Sequence, residues 1–333
     1  MIGGPLGDQG SNLSIMIPTF NCANYLRTTL GSLLQQPAGT LERAQIVVID
    51  DCSTRDDPEE VVREMAPGRV VFHRHPRNVG VCANFNSCLD LAEREWVQIL
   101  HGDDYMLPGA YGEFSTCLEQ FPDALAVFAR SQIVTSADQA LCESEPLGPG
   151  QRGRLLYDPR VWTRNPIYPA GVLLNGRAVD VVGKFDCTFS HVNDWNYWWR
   201  LARTGQCVYS RACIAAYRAS EEGHSSSLVR SGRNVAEGLA QVERLIASCA
   251  EEGMSVQIAS HMMYESVYET AFIQCSRFLG DHEPFMANWR WFRRMPRQLR
   301  RQKRWALAQL WWRHIRKVIQ RRLSFDRSDR VLV

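Results

Sequence analysis

Between Leu13 and Ala129 the chain repeats one pattern, a short apolar run followed by a stretch with helical spacing. LSIMIP (13–18), AQIVVID (44–50), RVVFHR (69–74), EWVQIL (95–100) and ALAVFA (124–129) read as strands, rich in Val and Ile and bounded by Asp, Asn, Pro or Gly. Residues 23–36, 57–66, 80–93 and 108–120 carry helical spacing between them, as in Leu26, Leu30, Leu33 and Leu34. Strand then helix, repeated, predicts an α/β fold with a mostly parallel sheet flanked by helices on both faces. Such a sheet binds its ligand beyond the C-terminal ends of its strands, so the residues just after each strand carry the chemistry.

Those strand ends are acidic. The first run closes on Pro18, Thr19, Phe20, Asn21; the second on Asp50, Asp51, Cys52, Ser53; the fourth leads into His101, Gly102, Asp103, Asp104. No GxGxxG and no GxxxxGK[ST] is present, so neither a dinucleotide fold nor a P-loop has its phosphate cradle. Two carboxylates beside a glycine suit a hard cation, Mn²⁺ or Mg²⁺, which takes oxygen ligands and keeps sites for water and substrate phosphate. Such an ion would neutralise charge on a departing nucleotide. The same pair also fits plain turn solvation ahead of a helix near Pro108, and spacing alone leaves both open. Asp57, Pro58 and Glu60 match the N-cap, N1 and N3 of a helix.

Charge is unevenly placed. From Met286 to Val333 there are fifteen basic residues against Asp326 and Asp329, so a net of +2 for 333 residues conceals a basic tail on an acidic body. The 45% hydrophobic content excludes a disordered chain. Eleven scattered cysteines without CxxC argue against a disulfide framework or structural zinc and for a reducing compartment. No run approaches the roughly 20 apolar residues of a membrane span, and MIGGPLGDQGSN lacks the pattern of a secretory signal. Residues 142–166 read as a loop or domain transition, 170–217 mix short apolar runs with an aromatic helix at 194–203, and the chain from about 232 to about 323 reads as helical.

SIMIPTFNCANYLRTTLGSLLQQ, IVVIDDCSTRD, NVGVCANFNSCLDLA with WVQILHGDD, and VVGKFDCTFSHVNDWNYWWRLARTG resemble, in order, the blocks of the family 2 inverting glycosyltransferases. YRASEEGHSSS resembles the short segment that often follows them. The resemblance runs from residue 13 to about 227 and covers none of the tail. It implies a GT-A-like sheet in a catalytic domain over 13–230, with a nucleotide-sugar half at 13–130 and an acceptor half at 150–230. A flexible leader at 1–12 and a helical, basic extension at 231–333 complete the expected organisation.

The implied activity is metal-dependent, inverting transfer from a nucleotide-diphosphate sugar, a UDP-sugar foremost, to a hydroxyl of a saccharide or lipid-linked acceptor, in polysaccharide, glycolipid or glycoconjugate synthesis. Carried over residue by residue, Pro18, Thr19, Asp50 and Asp51 fall in the nucleotide segments, with Thr19 and Asp51 at the base and ribose. Arg77, beside the Asn78-x-Gly80 turn, either faces the nucleotide or is a solvated surface arginine. Asp103 holds the last position of a DxD-type motif and would ligate Mn²⁺ or Mg²⁺ with Asp104 beside it, while His101 stands where that motif has its first Asp. Asp194 falls on the general base, within Asn193-Asp194 where Glu-Asp is usual; read on its own, it is a helix N-cap. His224 is a metal ligand or phosphate contact on a closing loop, or an exposed loop residue. Trp195, Tyr197, Trp198 and Trp199 either stack on a sugar or pack in the core, and helical spacing favours the core for at least two.

In the tail, Leu307, Leu310, Trp311, Ile315 and Val318 project to one helical side, opposite Arg313, Arg316, Lys317 and Gln320. That pattern fits packing on the body or residence on an anionic membrane surface. The second would make the protein cytoplasmic and peripheral on the inner face of the membrane. Nucleic acid is not expected as a partner. The competing functions are a sugar nucleotidyltransferase, which normally shows a Gly-rich basic loop absent here, and a non-catalytic membrane-associated binding protein of the same fold.

Overall fold

The computed structural model describes residues 4–158, 161–219, 224–251 and 256–328. Ten strands among them form one sheet: β1 (Leu13–Thr19), β2 (Gln45–Asp50), β3 (Val71–Arg74), β4 (Trp96–Ile99), β5 (Tyr105–Met106), β6 (Ala126–Val134), β7 (Ala140–Glu143), β8 (Arg152–Arg154), β9 (Val172–Asn175) and β10 (Cys207–Arg218). The order is β3-β2-β1-β4-β9-β6-β10-β5, with β7 on β6 and β8 on β10. All five runs expected as strands are strands. The half from β3 to β4 is parallel, as expected, because each connection is a helix. Beyond it the sheet is mixed: β9 enters between β4 and β6 antiparallel to both, while β6 and β10 run parallel.

Every residue of β1 is buried, which fits its central place. Ile15 and Ile17 point to one face with Leu26, Leu30, Leu33 and Phe114, in a single apolar cluster. The helices that cover the sheet are α1 (Ala23–Leu34), α2 (Pro58–Met65), α3 (Val81–Leu91), α4 (Ala110–Gln120), α5 (Ala178–Val182) and α6 (Asn193–Ala202). Helix α2 starts as the sequence predicts. The Asp57 carboxylate accepts from Glu59 N at 3.1 Å and Glu60 N at 3.4 Å, and Pro58 sits at the first helical position, where its missing N–H costs nothing.

Residues 4–12, expected as a flexible leader, bond to the start of β4 and to the turn ahead of β2. Leu6 is buried, Gln9 O accepts from Arg43 N at 2.9 Å, and Asn12 O accepts from Trp96 N at 2.9 Å. A buried leucine and paired backbone groups give this segment a reason to stay in place. The cysteines also depart from expectation. Cys82, in the first turn of α3, and Cys187 form a disulfide across a sequence separation of 105, while the remaining nine are free. One bond is not a framework, but spacing gave no hint of it.

The chain divides into two compact units. Residues up to 161 with 165–220 form the sheet unit, and 162–164 with the residues from 221 onward form the other. The second unit is helical: α7 (His224–Ser231), α8 (Arg233–Glu251), α9 (Val256–Arg277), α10 (His282–Trp289), α11 (Arg297–Gln302) and α12 (Arg304–Ser328). Its interior uses Leu239, Val242 and Leu245 of α8 with Val267, Ala271 and Cys275 of α9. Phe285 of α10 stacks on His314 of α12 at 3.6 Å between ring centroids, with Trp289 and Trp311 around them. Among the described residues, no helix is long and apolar enough to cross a membrane.

Candidate active site

The loops after β1 and β2 are built into one another. Each places a non-glycine residue at positive φ just past its strand, Asn21 at 51° and Cys52 at 61°. Asparagine tolerates that region because its side chain bonds locally, and a cysteine there is uncommon enough to mark a constrained turn. Asn21 N donates to Ser53 Oγ at 2.8 Å, and Asn21 Oδ1 accepts from Thr54 N and Arg55 N at 2.8 and 3.0 Å. Thr19 O accepts from Asp51 N at 2.8 Å. The expected nucleotide segments, Pro18-Thr19 and Asp50-Asp51, are therefore neighbours across β1 and β2.

Within that frame the two aspartates do different work. Asp50 is fully buried, and its carboxylate accepts from Ser53 N, Ser53 Oγ and, at 2.7 Å, Arg74 Nε. It shapes the loop, and its intramolecular partners suit it to a supporting place beside the nucleotide segment. Asp51 accepts from Val79 N at 2.6 Å and Gly80 N at 3.0 Å, while Asn78 Nδ2 donates to Asp51 O at 3.2 Å. This pins the Asn78-x-Gly80 turn that opens α3. Gly80 has φ 89°, which a side chain would strain. Each Asp51 oxygen takes one of these bonds and keeps lone-pair capacity for another donor. Arg77 is exposed on the same loop and forms no ion pair among the described residues.

The β4 end supplies the second part. Gly102 N donates to Pro18 O at 3.0 Å, and a Cβ on Gly102 would lie 2.7 Å from Thr19 Oγ1 and 3.1 Å from Cys22 Sγ. Only glycine lets the His101–Asp104 turn approach β1 this closely. Ligand atoms of His101, Asp103 and Asp104 lie within 4.8 Å of one another. The Asp103 carboxylate is half-buried and has no hydrogen bond from the protein among the described residues. Asp104 lies beneath it, buried, with Oδ1 accepting from Arg218 N at 2.9 Å and Oδ2 facing His101 Nδ1 at 3.6 Å.

Burial, with the Asp103 charge added, pushes Asp104 well above the usual carboxylate range, and burial lowers His101. Asp104 Oδ2 and His101 Nε2 are buried polar atoms without hydrogen-bond partners. Two carboxylates, one imidazole and buried donor atoms left open are a set that a divalent ion fits. His101, which stands in the place of the motif's first Asp, is brought into the cluster by the turn.

Arg218 and Tyr217, at the end of β10, were not singled out in the sequence. Arg218 Nε donates to Asp103 O at 2.8 Å, and Nη1 pairs with Asp138 at 2.7 Å. Its guanidinium lies 4.4 Å from the centroid of the Tyr25 ring. Tyr217 packs on Tyr168, with ring centroids 4.7 Å apart. Burial raises its hydroxyl pKa most, and the charges of Asp104, Asp103 and Asp194 add to that. The three carboxylates therefore share one electrostatic neighbourhood. The signal available in the sequence was position, since YRAS stands just after a strand.

Asp194 lies in the first turn of α6, whose N-cap is Val192. Its carboxylate is half-buried, accepting from Trp195 N at 2.7 Å through Oδ1 and from Asn165 Nδ2 at 2.9 Å through Oδ2. Burial outweighs both bonds and raises its pKa to about 6. Behind it, Trp195, Tyr197, Trp198 and Trp199 are all buried, at 5% exposure or less. Phe185 stacks on Tyr197 at 4.2 Å, and Trp198 meets Phe128 edge-on. The four aromatics anchor the helix. Phe185 is held in turn by Asn86, whose amide accepts from Phe185 N at 2.9 Å and donates to Phe185 O at 3.1 Å. His224 begins α7, and its side chain lies outside the described residues.

Residues 14–152 match the family model of "Glycosyl transferase family 2". A segment of 123 residues is 32% identical to the hyaluronan synthase of Pasteurella multocida, covering 35% of this chain and 12% of that protein. The chain spans about a third of the length of the first curated relatives it matches. Among solved structures, S. aureus TarS 1-349 in complex with UDP-GlcNAc aligns with a TM-score of 0.63 at 15% identity, over 92% of this chain and 89% of that one. The mannosyltransferase PcManGT of Pyrobaculum calidifontis, in complex with GDP-Man and Mn²⁺, aligns with a TM-score of 0.53 at 14% identity, over 96% and 89%. At these identities the likeness speaks for the fold.

Proposed function

We propose, on the premise that residues 14–152 are a glycosyl transferase family 2 segment on a GT-A fold, that the chain moves a sugar from a nucleotide-diphosphate sugar to an acceptor hydroxyl with inversion. The observation that carries this is the cluster of His101, Asp103 and Asp104 just past β4, whose ligand atoms lie within 4.8 Å of one another, with Asp194 close enough for its charge to act on the same Tyr217. One end of the sheet thus holds both a metal-ready acid cluster and a carboxylate of raised basicity.

Each part has a stated task. Asp51 with the Thr19 loop receives the nucleotide, a uridine in this proposal, and Arg77 extends toward its phosphates. Asp103, with Asp104 and His101 behind it, holds Mn²⁺ or Mg²⁺. The bound ion supplies positive charge to the diphosphate as it leaves. Asp194, at about 6, is a stronger base than an ordinary carboxylate and remains largely ionised at neutral pH. It takes the proton of the acceptor hydroxyl as that oxygen bonds to the anomeric carbon. The bond from that carbon to the diphosphate oxygen breaks on the opposite side, which inverts the centre. Asn165 and the buried α6 aromatics hold the base in position.

On this reading the acceptor is a saccharide or a lipid-linked sugar, and the reaction takes place in the cytoplasm with the helical extension at the inner face of the membrane. Asp194→Asn is the test. Transfer from a UDP-sugar falls by orders of magnitude while UDP with Mn²⁺ still raises the melting temperature. Turnover retained in the variant would remove Asp194 from the mechanism.

A further inference from the structure

The helical unit leaves one surface that neither its own packing nor the sugar chemistry uses. Helix α12 spends one side on its neighbours: Leu310 and His314 are buried, and Leu307, Trp311, Ile315 and Val318 are partly covered. This is the side that helical projection singled out as apolar, and its centre at Leu310 and His314 is taken up by packing. At 100° per residue, Trp305 and Trp312 point away from Leu310, and they are 71% and 63% exposed. Ala308 is exposed between them, and Arg304 and Arg316 flank the same face, also exposed.

We infer that this face, Trp305 and Trp312 flanked by Arg304 and Arg316, docks on the surface of an anionic phospholipid bilayer. The charge of this segment is of one sign. From Pro284 to Phe325 the sequence has thirteen Lys or Arg and no acidic residue. Two exposed indoles on a helix lying flat enter the headgroup region, where their apolar rings and N–H groups are both accommodated, while the arginines meet lipid phosphates.

A polyanion such as RNA would satisfy the charge equally but not the groove next to it. A cleft of about 430 Å³ is lined by Trp289, Leu307 and Trp311 together with Arg290 and Arg293. An apolar lining with two arginines beside it matches an acyl chain and its phosphate. Ala308 lines this cleft and belongs to the exposed face, so the two features are continuous. The inference deepens the membrane placement in the proposed function, and its test uses no donor or acceptor sugar.

The experiment is co-sedimentation of the full chain with vesicles of phosphatidylcholine alone or mixed with phosphatidylglycerol. Binding is expected only to the mixed vesicles and is expected to weaken as salt rises. Trp305→Ala with Trp312→Ala, and separately Arg304→Gln with Arg316→Gln, each lower the partition coefficient by about tenfold. All four positions are exposed, so both variants keep the parent melting temperature and its rise with UDP and Mn²⁺. Four results would each overturn the inference: equal binding to neutral vesicles, unchanged binding by both variants, loss of a dimer by the tryptophan variant without loss of lipid binding, or a preference for RNA over vesicles. If UDP fails to stabilise even the parent chain, the sugar-transfer reading falls while the vesicle result stands.

Discussion

Arg218 Nε donates to the main-chain carbonyl of Asp103 at 2.8 Å, and Arg218 N donates to Asp104 Oδ1 at 2.9 Å, so one buried residue holds both aspartates of the β4 turn. The guanidinium is itself held by Asp138 and by the Tyr25 and Tyr105 rings. Arg218 is thus a positioning residue for the acid cluster proposed to hold the metal. It touches Asp103 through the backbone and leaves that carboxylate free to point outward.

Replacing Arg218 with Met keeps the main-chain bond to Asp104 but removes the guanidinium contacts and leaves Asp138 and the Asp103 carbonyl without their donor. Breaking a buried ion pair by deleting one partner costs about 3–5 kcal/mol, and the half-exposed Asp138 puts the expectation near the lower end. Urea denaturation measures this. Arg218→Lys keeps the charge but loses the planar fork, and calorimetric titration is expected to show weaker Mn²⁺ binding even where the fold survives.

As the proposed base, Asp194 is expected to set a pH dependence of rate. Its pKa is raised to about 6, and the base must be ionised, so kcat is expected to fall about tenfold per pH unit below that value and to level off above it. Stability runs the other way. A carboxyl raised from 3.8 in the unfolded chain to about 6 when folded binds its proton more tightly in the native state. Its contribution is fully present below the unfolded value and is lost as pH rises through about 6. Asp194→Asn is therefore expected to be more stable than the parent at pH 8 by about 1–2 kcal/mol, after allowing for partial exposure and the altered contact with Asn165. Melting curves at pH 3.5 and 8 compare the two, with the gain appearing at the higher pH.

Gly102→Ala tests the close approach of the two strand-end loops. Its Cβ would lie 2.7 Å from Thr19 Oγ1 and 3.1 Å from Cys22 Sγ, in a buried position. Overpacking of this kind costs about 1–3 kcal/mol. Because the displaced groups are Thr19 and the metal turn, UDP is expected to stabilise this variant less than the parent in a melting assay.

The disulfide between Cys82 and Cys187 closes a long loop and ties the start of α3 to the segment before α6. Thiol titration of the oxidised, denatured protein is expected to find nine groups, and eleven after reduction. Loop entropy alone suggests about 4–5 kcal/mol for a loop of this length. Asn86 and Phe185 already join the same two segments by paired hydrogen bonds, so reduction is expected to cost less, about 2–3 kcal/mol, read as a lower melting temperature.

What could be read from the sequence was what local forces control. Apolar runs set all five early strands, Asp57 with Pro58 set the start of α2, and the strand-end acids announced a site, because period, capping and turn chemistry act within a few residues. The expected helical tail is helical, with a break ahead of α10 and another at Pro296. Tertiary structure alone decided which of several similar residues does what. Asp50 and Asp51 are adjacent in sequence, yet one is buried against Arg74 and the other pins a turn on the next helix. His101 joins the acid cluster because a glycine lets its turn press on β1. Arg218, Tyr217 and the partner of Cys82 come from the far end of the chain. In the tail, packing used the apolar side and left the tryptophans of the other side in solvent. These outcomes depend on contacts between residues far apart in sequence, and such contacts exist only once the sheet and the helical unit have formed.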